Sequence, residues 1–309
     1  MDDYREWAAE PALRGVVSCA WTRTTGSPRT YRIVPDGCVD VIFDGVDLQV
    51  AGPDTGPVLV RAEAGALVGV RFPPGLAPAV LGLPASELRD QRPRLAEVGP
   101  VSARLTEELA RALGAGRAGA GSADASQSRA GVVHRQGKTA SGALTSTDRL
   151  EPGGAPAEIS NLPEISDLLE GSDLAKSSDL AGAGGRRPEW AAAVVLQRAV
   201  LARFRPERRD PALPAILAGL RAGTGIAELA WDLGIGERAL HRRCRAAFGY
   251  GPKTAQRVLR FHRAVALARA GHPFARAAAE TGYADQAHLA RDVRALAGVP
   301  LRALLSGTA

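Results

Sequence analysis

The chain predicts an α+β protein: a small β-rich N-terminal barrel or sandwich, a disordered linker, and an all-α C-terminal domain with two helix-turn-helix motifs joined by a long helix. Three observations carry that reading. Residues 1–113 hold short alternating apolar runs punctuated by Gly and Pro. Residues 114–187 draw 36 of their 74 positions from Gly, Ala and Ser and contain no aromatic. Residues 188–309 change to helical periodicity, and with them comes the positive charge. Residues 186–309 carry 21 basic and nine acidic side chains, whereas residues 1–185 carry 18 and 24. A cationic excess so confined marks a polyanion-binding part.

Composition also excludes classes. Cys19, Cys38 and Cys244 are scattered without a CxxC pair, which rules out a disulfide scaffold and a zinc ribbon. The opening MDDYREWAAE has acids where a signal peptide needs a basic start and an apolar run. The longest apolar stretch, Ala191 to Ala202, is broken by Gln197 and Arg198, so no membrane span is expected. The expected setting is cytoplasmic, with no membrane partner.

In the N-terminal domain, Arg32–Phe43 reads RIVPDGCVDVIF. A Pro-Asp-Gly turn precedes Val39, Val41 and Phe43, which alternate with Cys38, Asp40 and Ile42. Both sets are mainly apolar, as for a strand covered on two faces. Leu48–Ala51, Val58–Ala62 and Ala66–Phe72 are further strands, bounded by Gly-Pro and Pro-Pro-Gly turns. Ala85–Arg89 and Val101–Leu113 read as helices, the second with Val101, Leu105, Leu109 and Leu113 four apart. The linker, 114–187, cannot bury enough apolar surface to offset its ordering entropy. Within it Glu158–Ala175 is acidic with Ile165, Leu168 and Leu169; a transient helix without a role outweighs a partner-binding one.

The C-terminal domain is assigned to residues 188–309. Ala191–Phe204 is helical, and Asp210-Pro211 opens a helix to about Arg221. Ile226–Ala246 then reads IAELAWDLGIGERALHRRCRA. Ile226, Leu229, Ala230 and Leu233 form an apolar stripe, and Gly234 ends the first helix where positive φ is needed. Leu240, Cys244 and Phe248 form the buried face of a second helix. Its other face carries Arg238, His241, Arg242 and Arg245. One helix braces and the next fits a major groove. The pattern returns 48 residues on, with Ala278 and Gly282 repeating Ala230 and Gly234, and Tyr283 in place of Ile235. Asp285 caps the next helix, whose Leu289, Val293 and Leu296 face inward. Between the motifs Pro252–Ala270 is a long basic amphipathic helix with Val258, Leu259, Phe261, Val265 and Leu267 at its apolar positions.

With GYADQAHLARDVRALAGVP (Gly282–Pro300), FGYGPK (Phe248–Lys253) and RFHRAVALARAG (Arg260–Gly271), the chain from about Ile226 to Leu305 resembles the AraC/XylS family of bacterial transcription regulators. Upstream, VPDGCVDVIF and GVRFPPGLAPAVLGLPASELRD are similar to the N-terminal domain of an actinobacterial-type branch of these regulators. The resemblance implies a sequence-specific regulator that binds double-stranded DNA through two reading helices. RNA polymerase, a small-molecule effector at residues 1–113 and a second copy of the chain are the further partners it admits; it implies no cofactor. Carried over residue by residue, the base-reading positions are Arg238, His241 and Arg242 in the first motif and Gln286, His288 and Arg291 in the second. Arg can read guanine bidentately and Gln adenine. Arg245, Lys253, Arg257 and Arg294 suit phosphate oxygens, which set register rather than sequence.

The sequence departs from the family in places. Cys244, Val293 and Leu289 stand where aromatics are frequent, and Gly236 where Ser usually caps. Ala287 can offer a base only a methyl, so the second motif is expected to read less than the first. The alternatives are a sequence-nonspecific architectural DNA binder and an N-terminal domain with an enzymatic activity of its own. Against the latter, residues 1–113 contain no His for a metal site, and Ser86 and Ser102 sit in no nucleophile elbow. Asp36, Asp40, Asp44, Asp47 and Asp54 are expected to cap turns. Cys38 is expected to be a buried small residue of a strand rather than a redox thiol. The expectation is a non-enzyme.

Overall fold

A computed structural model of the protein describes residues 3–114 and 188–306. The Gly/Ala/Ser-rich stretch, with its acidic Glu158–Ala175 patch, lies outside the described residues. The described chain is mixed α and β, with all its strands in the N-terminal part. The strands are β1 (Asp3–Ala8), β2 (Cys19–Thr25), β3 (Arg29–Ile33), β4 (Val39–Phe43), β5 (Leu48–Ala51), β6 (Val58–Ala62) and β7 (Gly65–Phe72). Five form an antiparallel sheet in the order β1-β2-β7-β4-β5; β3 and β6 pair with one another across one face of it.

The period-2 pattern sorts the side chains of the large sheet onto two faces. Val39, Val41 and Phe43 of β4, Leu48 and Val50 of β5 and Val68, Val70 and Phe72 of β7 are buried in one core. The opposite face carries Trp21, Arg23, Gly69, Arg71, Asp40 and Ile42, beneath the β3–β6 pair. Strands β5 and β6 fall on the bounds their sequence patterns predict. β1 and β2 were not legible in advance, because their alternate positions hold Arg, Thr and Glu rather than apolar residues.

After the sheet come α1 (Pro78–Leu81), α2 (Leu95–Val98) and α3 (Ala103–Ala112). Ser102 caps α3, its hydroxyl accepting from the Leu105 N–H at 3.2 Å. The helix expected at Ala85–Arg89 is a short 3₁₀ turn, Ala85–Glu87.

The next helix, α4 (Pro188–Arg203), departs from the domain bounds expected from sequence. Its Ala192, Ala193, Leu196, Ala199 and Val200 belong to the core of the β-sheet, with Leu105 and Leu109 of α3. Gln197 adds a polar tie, its Oε1 accepting from the Glu10 N–H at 2.9 Å. An Ala-rich helix allows close approach to a β-sheet, and that sheet is where its apolar side chains are buried. Residues 188–203 thus pack as part of the N-terminal module, although the sequence assigned them to the C-terminal domain. The crossing to the second module runs through residues 204–212.

That module comprises α5 (Leu213–Ala222), α6 (Ile226–Asp232), α7 (Glu237–Phe248), α8 (Pro252–Arg269), α9 (Phe274–Glu280), α10 (Gln286–Ala297) and α11 (Leu301–Ser306). It has two cores. One joins α5, α6 and α7, the other α9, α10 and α11. The central helix α8 belongs to both: Ala255 and Val258 enter the first, Phe261, Ala264, Val265 and Ala268 the second. One rigid helix therefore fixes the separation and angle of the two motifs.

Candidate nucleic-acid interface

Both motifs are built as the residue pattern requires. In the first, α6 ends at Gly234 with φ +63°, and α7 starts after Gly236; in the second, α9 ends at Gly282 with φ +78°, and α10 starts after Asp285. Ala230 and Ala278 are buried where the second helix of each motif approaches. Leu240, Cys244 and Phe248, and likewise Leu289, Val293 and Leu296, are almost wholly buried, so the smaller fillers still close both cores.

Opposite the buried stripe, α7 exposes Arg238, His241, Arg242 and Arg245. These lie at i, i+3, i+4 and i+7, one face of a helix. The intervening Arg243 turns aside and pairs with Asp210 at 2.9 Å, tying α7 to the start of α5. Asp210 also accepts from the Ala212 N–H at 2.9 Å, so it caps a turn ahead of the helix it was expected to open. Lys253 is exposed in the first turn of α8.

The second motif is not a copy of the first. Its bracing helix lies 48 residues on, but its reading helix is capped 49 residues on, from Gly236 to Asp285. Ala284 is the extra turn residue. Counting from the caps, the positions of Arg238, His241, Arg242 and Arg245 are matched by Ala287, Ala290, Arg291 and Arg294, all exposed. Gln286 is exposed beside this face. His288 folds back over the turn, its ring edge-on to Tyr283 at 5.1 Å and its Nδ1 accepting from the Ala284 N–H at 3.4 Å. Of the three residues expected to read bases here, Arg291 alone occupies the face that matches the first motif.

Arg257, expected on a phosphate, has a partner inside the fold. Its Nε donates to Asp292 Oδ1 at 2.6 Å, while the Tyr283 hydroxyl donates to Oδ2 at 2.8 Å. Arg260 lies over the Tyr283 ring at 4.3 Å, with Nη2 3.8 Å from Asp292. Asp292, only 7% exposed, thus locks α8, the turn and α10 together. Sequence reading passed over Asp292; the signal was an acid flanked by inward-facing Leu289 and Val293 on a helix otherwise basic. It also passed over Trp231, 85% exposed in the last turn of α6 beside the reading helix. That residue lies off the Ile226/Leu229/Ala230/Leu233 stripe, which is where its exposure could have been read.

The N-terminal acids divide. Asp36 accepts from the Cys38 N–H, and Asp44 from the Val46 and Asp47 N–H groups, as turn caps. Asp40 and Asp54 do not cap: they are held by Arg71 and Arg92 under the β3–β6 pair. Burial raises both carboxyls above the usual range, against the pull of those guanidinium partners. Cys38 precedes β4 rather than lying in it, and burial beside Asp36 pushes its thiol far up. No group of His, Cys, Asp and Glu suited to a metal occurs among the described residues.

Two helix-turn-helix units sharing a central helix, each with an exposed cationic face, define a DNA-binding protein. Residues 229–306 match a helix-turn-helix domain family, and residues 5–94 match a family described as a domain of unknown function, DUF6597. A comparison with curated proteins finds no match. The C-terminal part is an AraC-type helix-turn-helix domain, which supports a DNA-binding transcription regulator of that type. No helix among the described residues is long and apolar enough to cross a membrane.

Proposed function

We propose that this regulator binds specific DNA sites by placing α7 and α10 in successive major-groove segments about one helical turn, roughly 10 bp, apart. The observation that carries the reading is the pair of exposed helix faces held by one continuous helix, α8. Arg238, His241 and Arg242 read bases from α7, and Arg291 reads from α10. Arg245, Lys253 and Arg294 contact phosphates. With alanines at two of its four outward positions, α10 contributes less sequence information than α7. Because α8 holds the motifs rigidly, the duplex bends to meet both. The N-terminal module senses an effector, and the regulated step is engagement of RNA polymerase in the cytoplasm, with a second copy of the chain as a further partner.

The test is site selection from random duplex DNA with the full chain at near-physiological salt. The expected result is one strongly conserved block and a weaker one about a helical turn, roughly 10 bp, away. Strong salt dependence without any enriched sequence would instead identify an architectural binder.

A further inference from the structure

A cavity of about 170 Å³ lies between the large sheet and the β3–β6 pair. Its floor is the Trp21 indole, which lies flat across the sheet because Gly69 opposite has no side chain. A Cβ on Gly69 would fall 2.2 Å from the ring. Trp21 Nε1 donates to Asp40 at 2.9 Å, so the ring is fixed in its plane. Ile33, Ile42, Val60 and Leu67 make the remaining apolar wall. Drug-sized ligands fill pockets of about 300–1,000 Å³. This one therefore suits one ring or two fused rings, stacked on an indole.

The charges are unevenly matched. Arg71 is paired with Asp40, Arg92 with Asp54 and Arg61 with Glu63. Asp36 accepts a backbone N–H and faces Arg71. Arg23 is different. Its guanidinium is stacked on Tyr31 at 3.9 Å and on Tyr4 at 5.1 Å, and no carboxylate among the described residues pairs with it. Two aromatic faces hold it in place without neutralising it. Arg23 pairs with Leu67 across the sheet, whereas Asp40 pairs with Arg71, four residues along β7. That is about 13 Å of strand. The cavity thus has a fixed cation at one end, acids and their partners at the other, and an aromatic floor between.

We propose that this cavity binds a small flat ring-bearing anion, its carboxylate on Arg23, its ring on Trp21 and a ring N–H or hydroxyl toward Asp36 and Asp40. The proposal rests on the reading of the N-terminal module as a sensor and names its ligand class. The position of the roof says how occupancy reaches DNA. Arg32, on β3 between the cavity-lining Tyr31 and Ile33, donates from Nη1 to the Ala297 carbonyl at the end of α10 at 3.2 Å. A ligand that moves β3 moves the end of the second reading helix.

The experiment is titration calorimetry on the full chain with two isosteric pairs: 4-hydroxybenzoate against 4-hydroxybenzamide, and indole-3-carboxylate against indole-3-carboxamide. At least one acid binds about tenfold more tightly than its amide. Arg23→Gln erases the preference, and Arg23→Lys, which keeps the charge, restores part of it. Equal affinity for acid and amide, an unchanged preference in Arg23→Gln, or no binding of either acid overturns the proposal. Thermal melting of Arg23→Gln separates lost charge from lost fold. In a second arm the bound acid changes affinity for the selected DNA site, and Arg32→Ala removes that change while leaving acid binding intact. An unchanged DNA affinity overturns the coupling. Failure to select any DNA site would defeat the regulator reading, while the calorimetry would still decide the ligand site.

Discussion

At the scale of single residues, the cations of the C-terminal module separate by what already holds them. Arg242 is exposed and has no partner among the described residues, and Arg245 shares its face. Arg242→Ala is expected to cost on the order of 1–3 kcal/mol on the selected site and to relax specificity at one base pair. Arg245→Ala should weaken all sequences alike and lower the salt slope by about one. Arg257→Ala should do neither to the same degree: it lowers the melting temperature, because Asp292 loses a charged hydrogen-bond donor worth about 1.5–3 kcal/mol. Binding titrations at several salt concentrations, alongside melting curves, distinguish the three. The cysteines make a second residue-level case. Burial raises Cys19 to about 11 and Cys244 to about 12, and Cys38 further still. The thiolate is the reacting form. Labelling of the native chain by a thiol reagent should therefore be slow at pH 7.5 and rise as pH climbs toward the Cys19 value. Fast labelling of Cys38 at neutral pH would contradict this.

At the scale of elements, the turns are where the two motifs diverge. Asp285 caps α10 through its side chain, which accepts from the His288 N–H, whereas Gly236 gives α7 no side-chain cap. Asp285→Ala should cost about 1 kcal/mol, and Gly236→Ser should gain a few tenths, both read as shifts in denaturant midpoint. The helices of both motifs were legible in the sequence because 3.6-residue stripes, glycines needed for positive φ and a cap signal agreed there. The register of α10 was harder. The cap at Asp285 was legible, but Gln286 and His288 were placed on the reading face by family resemblance alone, and counting from the cap puts Ala287, Ala290, Arg291 and Arg294 there instead. Only the buried set of Leu289, Val293 and Leu296 fixes which face looks outward. β2 escaped notice for another reason: Trp21 and Arg23 are spaced as a strand, but the Arg is stabilised by aromatic stacking rather than by apolar burial.

At the scale of the whole molecule, the two modules meet at both reading helices. Tyr250, just after α7, is buried, and a Cβ on the preceding Gly249 would lie 2.6 Å from Pro53. Arg32 reaches the end of α10. The first module therefore touches the ends of both reading helices, which no local pattern in the sequence announces. The packing of α4 leads to a further prediction. A fragment of residues 188–306 carries Ala192, Leu196, Ala199 and Val200 without the sheet that covers them. It should associate or bind an apolar dye more strongly than a fragment of residues 205–306, which lacks α4 and loses the cover of Leu76 over Leu213, Phe248 and Tyr250. Light scattering and dye fluorescence compare them, and identical behaviour would argue against α4 as part of the sheet's core.

The chain enters residues 115–187 from α3 and resumes at α4, and those two helices pack on one another in one core. Both ends of that span thus belong to one module. A protease that cut it would release nothing, since the pieces would stay joined through α3, α4 and the sheet. For the same reason the regulator could be made as two separate polypeptides, split within that span, and assembled from its halves.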